Sequence, residues 1–196
     1  MKKLEFIDLE ACEEAADWAS GKTWKKVYTT CHRGDWLLWL FAKTNPNDLR
    51  ELTLAKGHCA NTVRHLMKDE RSIAAVDAAI AFGDGKITKE ELDAAANNTY
   101  AAYSAYSSVN TAYAAAYPAA YPAAALSAAA FASAAAANTA NANAAAYAAA
   151  DAAYADAAYA AAYPAAAYAD AKKENQQQTA DICRKCLPIE MWNIKN

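Results

Sequence analysis

The chain has 196 residues, 56% of them hydrophobic and 21% charged, with a formal net charge of −3, a length that closes one globular domain or two small ones around a core. Alanine fills about 29% of positions and glycine only five, the last of them Gly85, which excludes a collagen-like or all-β chain and leaves an all-α fold as the expectation. The near balance of charge excludes the basic surplus with which a general nucleic-acid binder neutralises phosphates.

Met1-Lys2-Lys3 has the basic opening of an export signal, but Glu5, Asp8 and Glu10 interrupt any apolar run behind it, so a cytoplasmic chain is expected. Leu9 to Trp18 reads as a short amphipathic helix stopped by Ser20-Gly21, and Thr23 opens another. Arg33-Gly34-Asp35 punctuates the chain, with Asp35 placed to cap a helix starting at Trp36. Leu37, Leu38, Trp39, Leu40 and Phe41 make that helix too apolar to be exposed, so the N-terminal core is expected there. Asn45-Pro46-Asn47-Asp48 turns into a capped helix whose Leu49, Leu52, Leu54, Cys59, Val63 and Leu66 recur at helical spacing. Ser72 to Phe82 forms the next helix, Gly83-Asp84-Gly85 closes it, and Thr88 with Glu91 makes a capping box that opens another. Short helices joined by tight turns imply a compact bundle or a helical-repeat stack.

Near residue 93 the chemistry changes: residues 1–93 hold 14 of the 19 basic and 16 of the 22 acidic side chains and four of the five tryptophans. From 94 to 171 the chain is an Ala/Tyr tract, expected as a helical hairpin. Alanine is the best helix former, and a tyrosine buries about 150–250 Å² while keeping its hydroxyl near water. At about 100° per residue, Tyr100, Tyr103, Tyr106, Tyr113, Tyr117 and Tyr121 fall within an arc of roughly 140°, a packing stripe. Pro118, Pro122 and Pro164 should break or kink the pattern; the corner falls near Tyr117–Pro122 or at Asn138–Asn143. The nonapeptide at 112–120 recurs at 158–166, a shift of about 46 residues that suits two-helix repeats. Residues 172–196 are expected to add a last helix, Thr179 to Leu187, and an apolar tail of Ile189, Met191, Trp192 and Ile194 that docks on the core. A membrane span is not expected, because the long uncharged run is alanine with polar residues rather than Leu, Ile, Phe and Val.

Four motifs read more simply as structure than as chemistry. Gly83 to Glu91 matches the second half of a calcium loop, but Ile80 and Phe82 stand where oxygen ligands are required, so a plain helix–turn–helix is expected. Cys183-Arg184-Lys185-Cys186 is a lone Cys-x-x-Cys, with Cys31-His32 and His58-Cys59 as remote partners, and no metal, cofactor or disulfide is expected from it. Arg33-Gly34-Asp35 is accounted for by the helix cap. His32, Asp35, His58 and His65, with Cys31 or Cys59 as nucleophile, fall in no spacing that catalysis requires, so no enzyme is expected.

One order of features is distinctive. It runs from Ala11-Cys12-Glu13-Glu14-Ala15 with Trp18, through Cys31-His32-Arg33-Gly34-Asp35-Trp36-Leu37-Leu38-Trp39-Leu40, a Cys59-containing helix and the Asp69-Glu70-Arg71 turn, to the Ala/Tyr tract and Ala180-Asp181-Ile182-Cys183-Arg184-Lys185. Over nearly its whole length this resembles the fifth family of immunity proteins from bacterial polymorphic toxin systems, relatives of which occur in phage genomes. The resemblance implies an all-helical protein that binds and neutralises a cognate toxin, and it carries no catalytic residues over.

The expected function is therefore inhibition of a protein toxin or effector by occlusion, which needs about 800 Å² of complementary surface per partner. The charged N-terminal half is the expected interface, with Trp24, His32, Arg33, Asp35 and Arg64 as partner-binding candidates and Trp36 and Trp39 as core. The alternative is a phage counter-defence protein that sequesters a small nucleotide signal, with Tyr or Trp stacked on bases and Arg33, Arg64 or lysines holding phosphate. Exchange of an Ala/Tyr hairpin between protomers, giving a homo-oligomer, stays open.

Overall fold

A computed structural model describes residues 9–67, 69–98 and 165–193, together with Ala136 and Ala149. These residues form an all-α structure with no strand among them. The helices are α1 (Glu13–Ala19), α2 (Trp24–Thr30), α3 (Gly34–Thr44), α4 (Leu49–Asn61), α5 (Glu70–Gly83), α6 (89–98) and α7 (Ala165–Cys186), with short 3-10 turns at Arg64–Leu66 and Ile189–Met191. The tyrosine stripe, both hairpin corners, the first copy of the repeated nonapeptide and most of the second lie outside the described residues.

Several starts are set by side chains that satisfy the orphan donors of a first turn. Lys26 N–H donates to Thr23 Oγ1 at 3.2 Å to open α2, and Arg71 N–H donates to Asp69 Oδ1 at 2.9 Å to open α5. The capping box of α6 is reciprocal: Thr88 N–H donates to Glu91 Oε2 at 2.8 Å and Glu91 N–H to Thr88 Oγ1 at 3.3 Å. α1 starts later than its periodicity suggests, at Glu13, because Leu9-Glu10 forms a turn in which Glu10 takes a φ of +61°. α4 ends at Asn61 and yields to a 3-10 turn, so Leu66 reaches the core from a separate element.

The buried side chains make two clusters that share α4. The first gathers Leu37, Leu38, Leu40 and Phe41 of α3 with Val27, Leu52, Ala55, Cys59, Ala180, Cys183, Leu187 and Trp192. The second holds Ala60, Val63, Leu66 and Met67 with Val76, Ala79, Phe82, Leu92, Ala96, Ala136 and Ala149. Each fully buried Leu or Phe contributes about 1.5–3 kcal/mol, which makes α3, the expected centre of the N-terminal core, one of the main stabilising elements.

α4 is covered on three sides. Its Leu54 and Gly57 face α5, where a Cβ on Gly57 would lie 2.9 Å from Ile80 Cγ1. Cys59 faces α7, with its Sγ 3.7 Å from Thr179 O. Thr53, Lys56 and Ala60 share the third face by helical spacing, and Lys56 is fully buried there. α7 lies across α3 and α4 and comes so close to Gly34 that a Cβ there would sit 2.5 Å from Thr179 Oγ1. This helix runs unbroken through residue 172. In the tail after it, Trp192 is 6% exposed and meets Tyr28 and Phe41 edge-on, with ring centroids 5.5 and 5.3 Å away. Asn45 secures it by donating from Nδ2 to Met191 O at 2.7 Å.

Candidate functional site

The link between α2 and α3 is Cys31-His32-Arg33, extended at both ends, with φ/ψ of −64°/124° at Cys31 and −114°/106° at Arg33. An extended link alternates its side chains, so Cys31 points inward and is 1% exposed while His32 is exposed. Arg33 turns back onto α3. Its Nε donates to Asp35 Oδ1 at 2.9 Å and its Nη2 to Asp35 Oδ2 at 2.7 Å, a bidentate fork with both side chains largely buried.

This geometry corrects the expectation for Asp35. The helix starts at Gly34 with Arg33 at the N-cap position and no side-chain cap, so Asp35 lies inside the first turn at 5% exposure. Its carboxylate still suits the positive end of the helix dipole, but the neighbouring guanidinium has taken the oxygens that a cap would use. The bond to Asp35 in turn raises the pKa of Arg33 above its ordinary value.

Around this ion pair stands an aromatic cluster from three elements. Trp18 of α1, His32 of the link and Trp36 of α3 have ring centroids 5.8–6.2 Å apart in pairs. Two cations lie on its faces, Arg33 over Trp36 at 4.5 Å and Lys22 over Trp18 at 4.1 Å from the ring centroids. Beside it a groove of about 380 Å³ runs between α1 and α3, lined by Glu10, Cys12, Glu14, Ala15, Arg33, Asp35, Trp36 and Trp39. Trp36 and Trp39, expected in the core, are half-buried and form one wall. Glu10 and Glu14 form the rim, their side chains 82% and 72% exposed; they reach Lys43 at 2.8 Å and Arg33 at 3.4 Å. The Lys43 ammonium lowers the pKa of Glu10.

The five candidates thus divide. His32, Arg33 and Asp35 come together at the edge of the groove. Trp24 is half-buried and packs against the N-terminal core. Arg64 belongs to another surface, forked by Asp77 of α5 at 2.6 and 2.8 Å. Sequence reasoning missed Trp18, Glu10 and Glu14 as members of the site. The i, i+3 spacing of Trp36 and Trp39 was the available signal, because two indoles on one helical stripe flank a single groove.

Among the described residues no three His, Cys, Asp or Glu side chains group as metal ligands. Cys183 donates from Sγ to Gly34 O at 3.5 Å and lies 3.9 Å from Cys59 Sγ, beneath α3. Burial pushes the thiols of Cys31 and Cys186 to about 11 and that of Cys183 well above the ordinary range, so these three stay protonated near neutrality. Cys12 is the one exposed cysteine of the five. No helix among the described residues is long and apolar enough to cross a membrane. Comparison of the chain with protein-family models, curated proteins and solved structures gives no match.

Proposed function

We propose that this chain is a non-enzymatic binding protein of the cytoplasm that neutralises a protein toxin or effector by covering it, as the resemblance to immunity proteins implies. The observation that carries this reading is the surface built by α1, the α2–α3 link and α3: a Trp18–His32–Trp36 cluster next to an acid-rimmed groove. Anchors of that kind, half-buried aromatics amid charged neighbours, supply affinity at the centre of an interface while the charged rim supplies specificity and on-rate.

Nucleotide sequestration is disfavoured by the state of the arginines. It would use Arg33, Arg64 or lysines to hold phosphate, and each of the two guanidinium groups is already closed in a carboxylate fork. Opening the Arg33 fork would strand a buried carboxylate, which costs about 3–5 kcal/mol.

Co-expression with the effector encoded beside this gene tests the proposal. Growth should be rescued by the wild type and lost with His32→Glu, a change at an exposed position. Absence of rescue by well-expressed wild-type protein would overturn the reading for that effector, and rescue by every variant of this surface would remove the surface from it.

A further inference from the structure

We propose that the groove between α1 and α3 receives one cationic side chain, an arginine or a lysine, from a basic partner protein. The inference rests on the binding reading above and narrows it to the chemistry of the partner.

The charge of the groove is one-sided. Arg33 and Asp35 cancel one another inside their fork, which leaves the Glu10 and Glu14 carboxylates as the excess charge of its lining. Their present partners bind them weakly. The pairs to Lys43 and Arg33 have the glutamate side chains 82% and 72% exposed, and exposed pairs of this kind are worth about 0–1 kcal/mol. A cation brought by a partner, desolvated against the groove wall, competes with them on favourable terms.

The wall offers the second element of a cation site. An indole face attracts an ammonium or guanidinium within about 6 Å of its centroid. Arg33 occupies Trp36 at 4.5 Å, and Trp39 lies one turn further along α3 in the same groove with no cation over its ring among the described residues. The chain therefore already shows the arrangement once, guanidinium on indole with carboxylates at its edge, and the groove leaves room for a second. Its volume of about 380 Å³ is at the small end of ligand sites, which run from about 300 to 1,000 Å³, and suits a side chain. An anion would meet the same two glutamates at the rim, which disfavours phosphorylated ligands here.

The test is a titration of the full chain with N-acetyl-arginine methylamide, read on the indole N–H resonances assigned by Trp36→Phe and Trp39→Phe. The neutral N-acetyl-norleucine methylamide is the control. The arginine compound should shift the Trp39 indole saturably in the millimolar range and the norleucine compound should not. Glu10→Gln with Glu14→Gln, both at exposed positions, should weaken binding about five- to tenfold. Equal shifts from the norleucine compound, no shift with either, or unchanged binding in the double variant would overturn the proposal. Rescue of growth that survives the double variant overturns the cation site while leaving neutralisation standing. Arginine binding in a chain that rescues no effector leaves the site standing without its proposed use.

Discussion

Replacing Lys56 with methionine should change the stability of the protein by an amount that depends on pH. Lys56 has no exposed surface, and burial lowers its pKa from 10.5 to about 7. The unfolded chain keeps the ordinary value, so between pH 7 and 10.5 it binds a proton that the folded chain does not. Stability therefore falls as pH drops through that window, then levels off once both states are protonated. The full penalty is about 3.5 pKa units at about 1.4 kcal/mol each, or about 5 kcal/mol, of which about 4 is present at pH 7. Methionine has nearly the same volume and no charge, so it fills the same space on α4 without that penalty. Urea unfolding of both proteins at pH 6, 7, 8 and 9 measures the difference. Lys56→Met should gain on the parent by about 1.4 kcal/mol for each pH unit lowered between pH 9 and pH 8, the difference levelling off below pH 7; the interaction that Lys56 makes and methionine cannot sets the absolute offset. The buried cysteines act in the opposite direction, since their raised pKa values give stability that is lost as pH rises above the unfolded value. They are common to both proteins and cancel. A difference that does not vary with pH would refute the reasoning.

Asp35→Asn should lose about 3 kcal/mol in the same assay because it leaves the largely buried Arg33 without its counter-charge; Arg33→Met with Asp35→Leu should recover most of that loss. Gly34→Ala should lose about 1–3 kcal/mol by overpacking, since its Cβ would meet the backbone carbon of Thr179 at 2.7 Å and α3 and α7 would have to separate. An aromatic disulfide reagent should titrate Cys12 rapidly in the folded protein, while Cys31, Cys59 and Cys183, all at most 1% exposed, react only at the rate of unfolding.

Features written in local chemistry were legible in the sequence. Thr23, and Thr88 with Glu91, announce helix starts because a side-chain oxygen three residues from an orphan N–H can act only locally. The apolar run from Leu37 to Phe41 marks the core because no exposed helix tolerates it. What tertiary packing decides was not legible. Asp35 looked like a cap until Arg33, two residues earlier, proved to hold its carboxylate. Lys56 reads as one more solvated lysine unless it is known that α4 is covered on three sides. Trp36 and Trp39 were expected in the core and Trp18 was not singled out, because the assembly of the three with Glu10 and Glu14 into one groove depends on how α1 lies against α3.

The most direct test of neutralisation is native mass spectrometry of the tagged protein recovered gently from its own host, alongside Glu10→Arg with Glu14→Arg. Neutralisation by binding predicts an added mass of kilodaltons that proves to be a basic polypeptide and is lost in the charge-reversed variant. An added mass of a few hundred daltons, retained in that variant, would contradict it and return the chain to the capture of a small ligand.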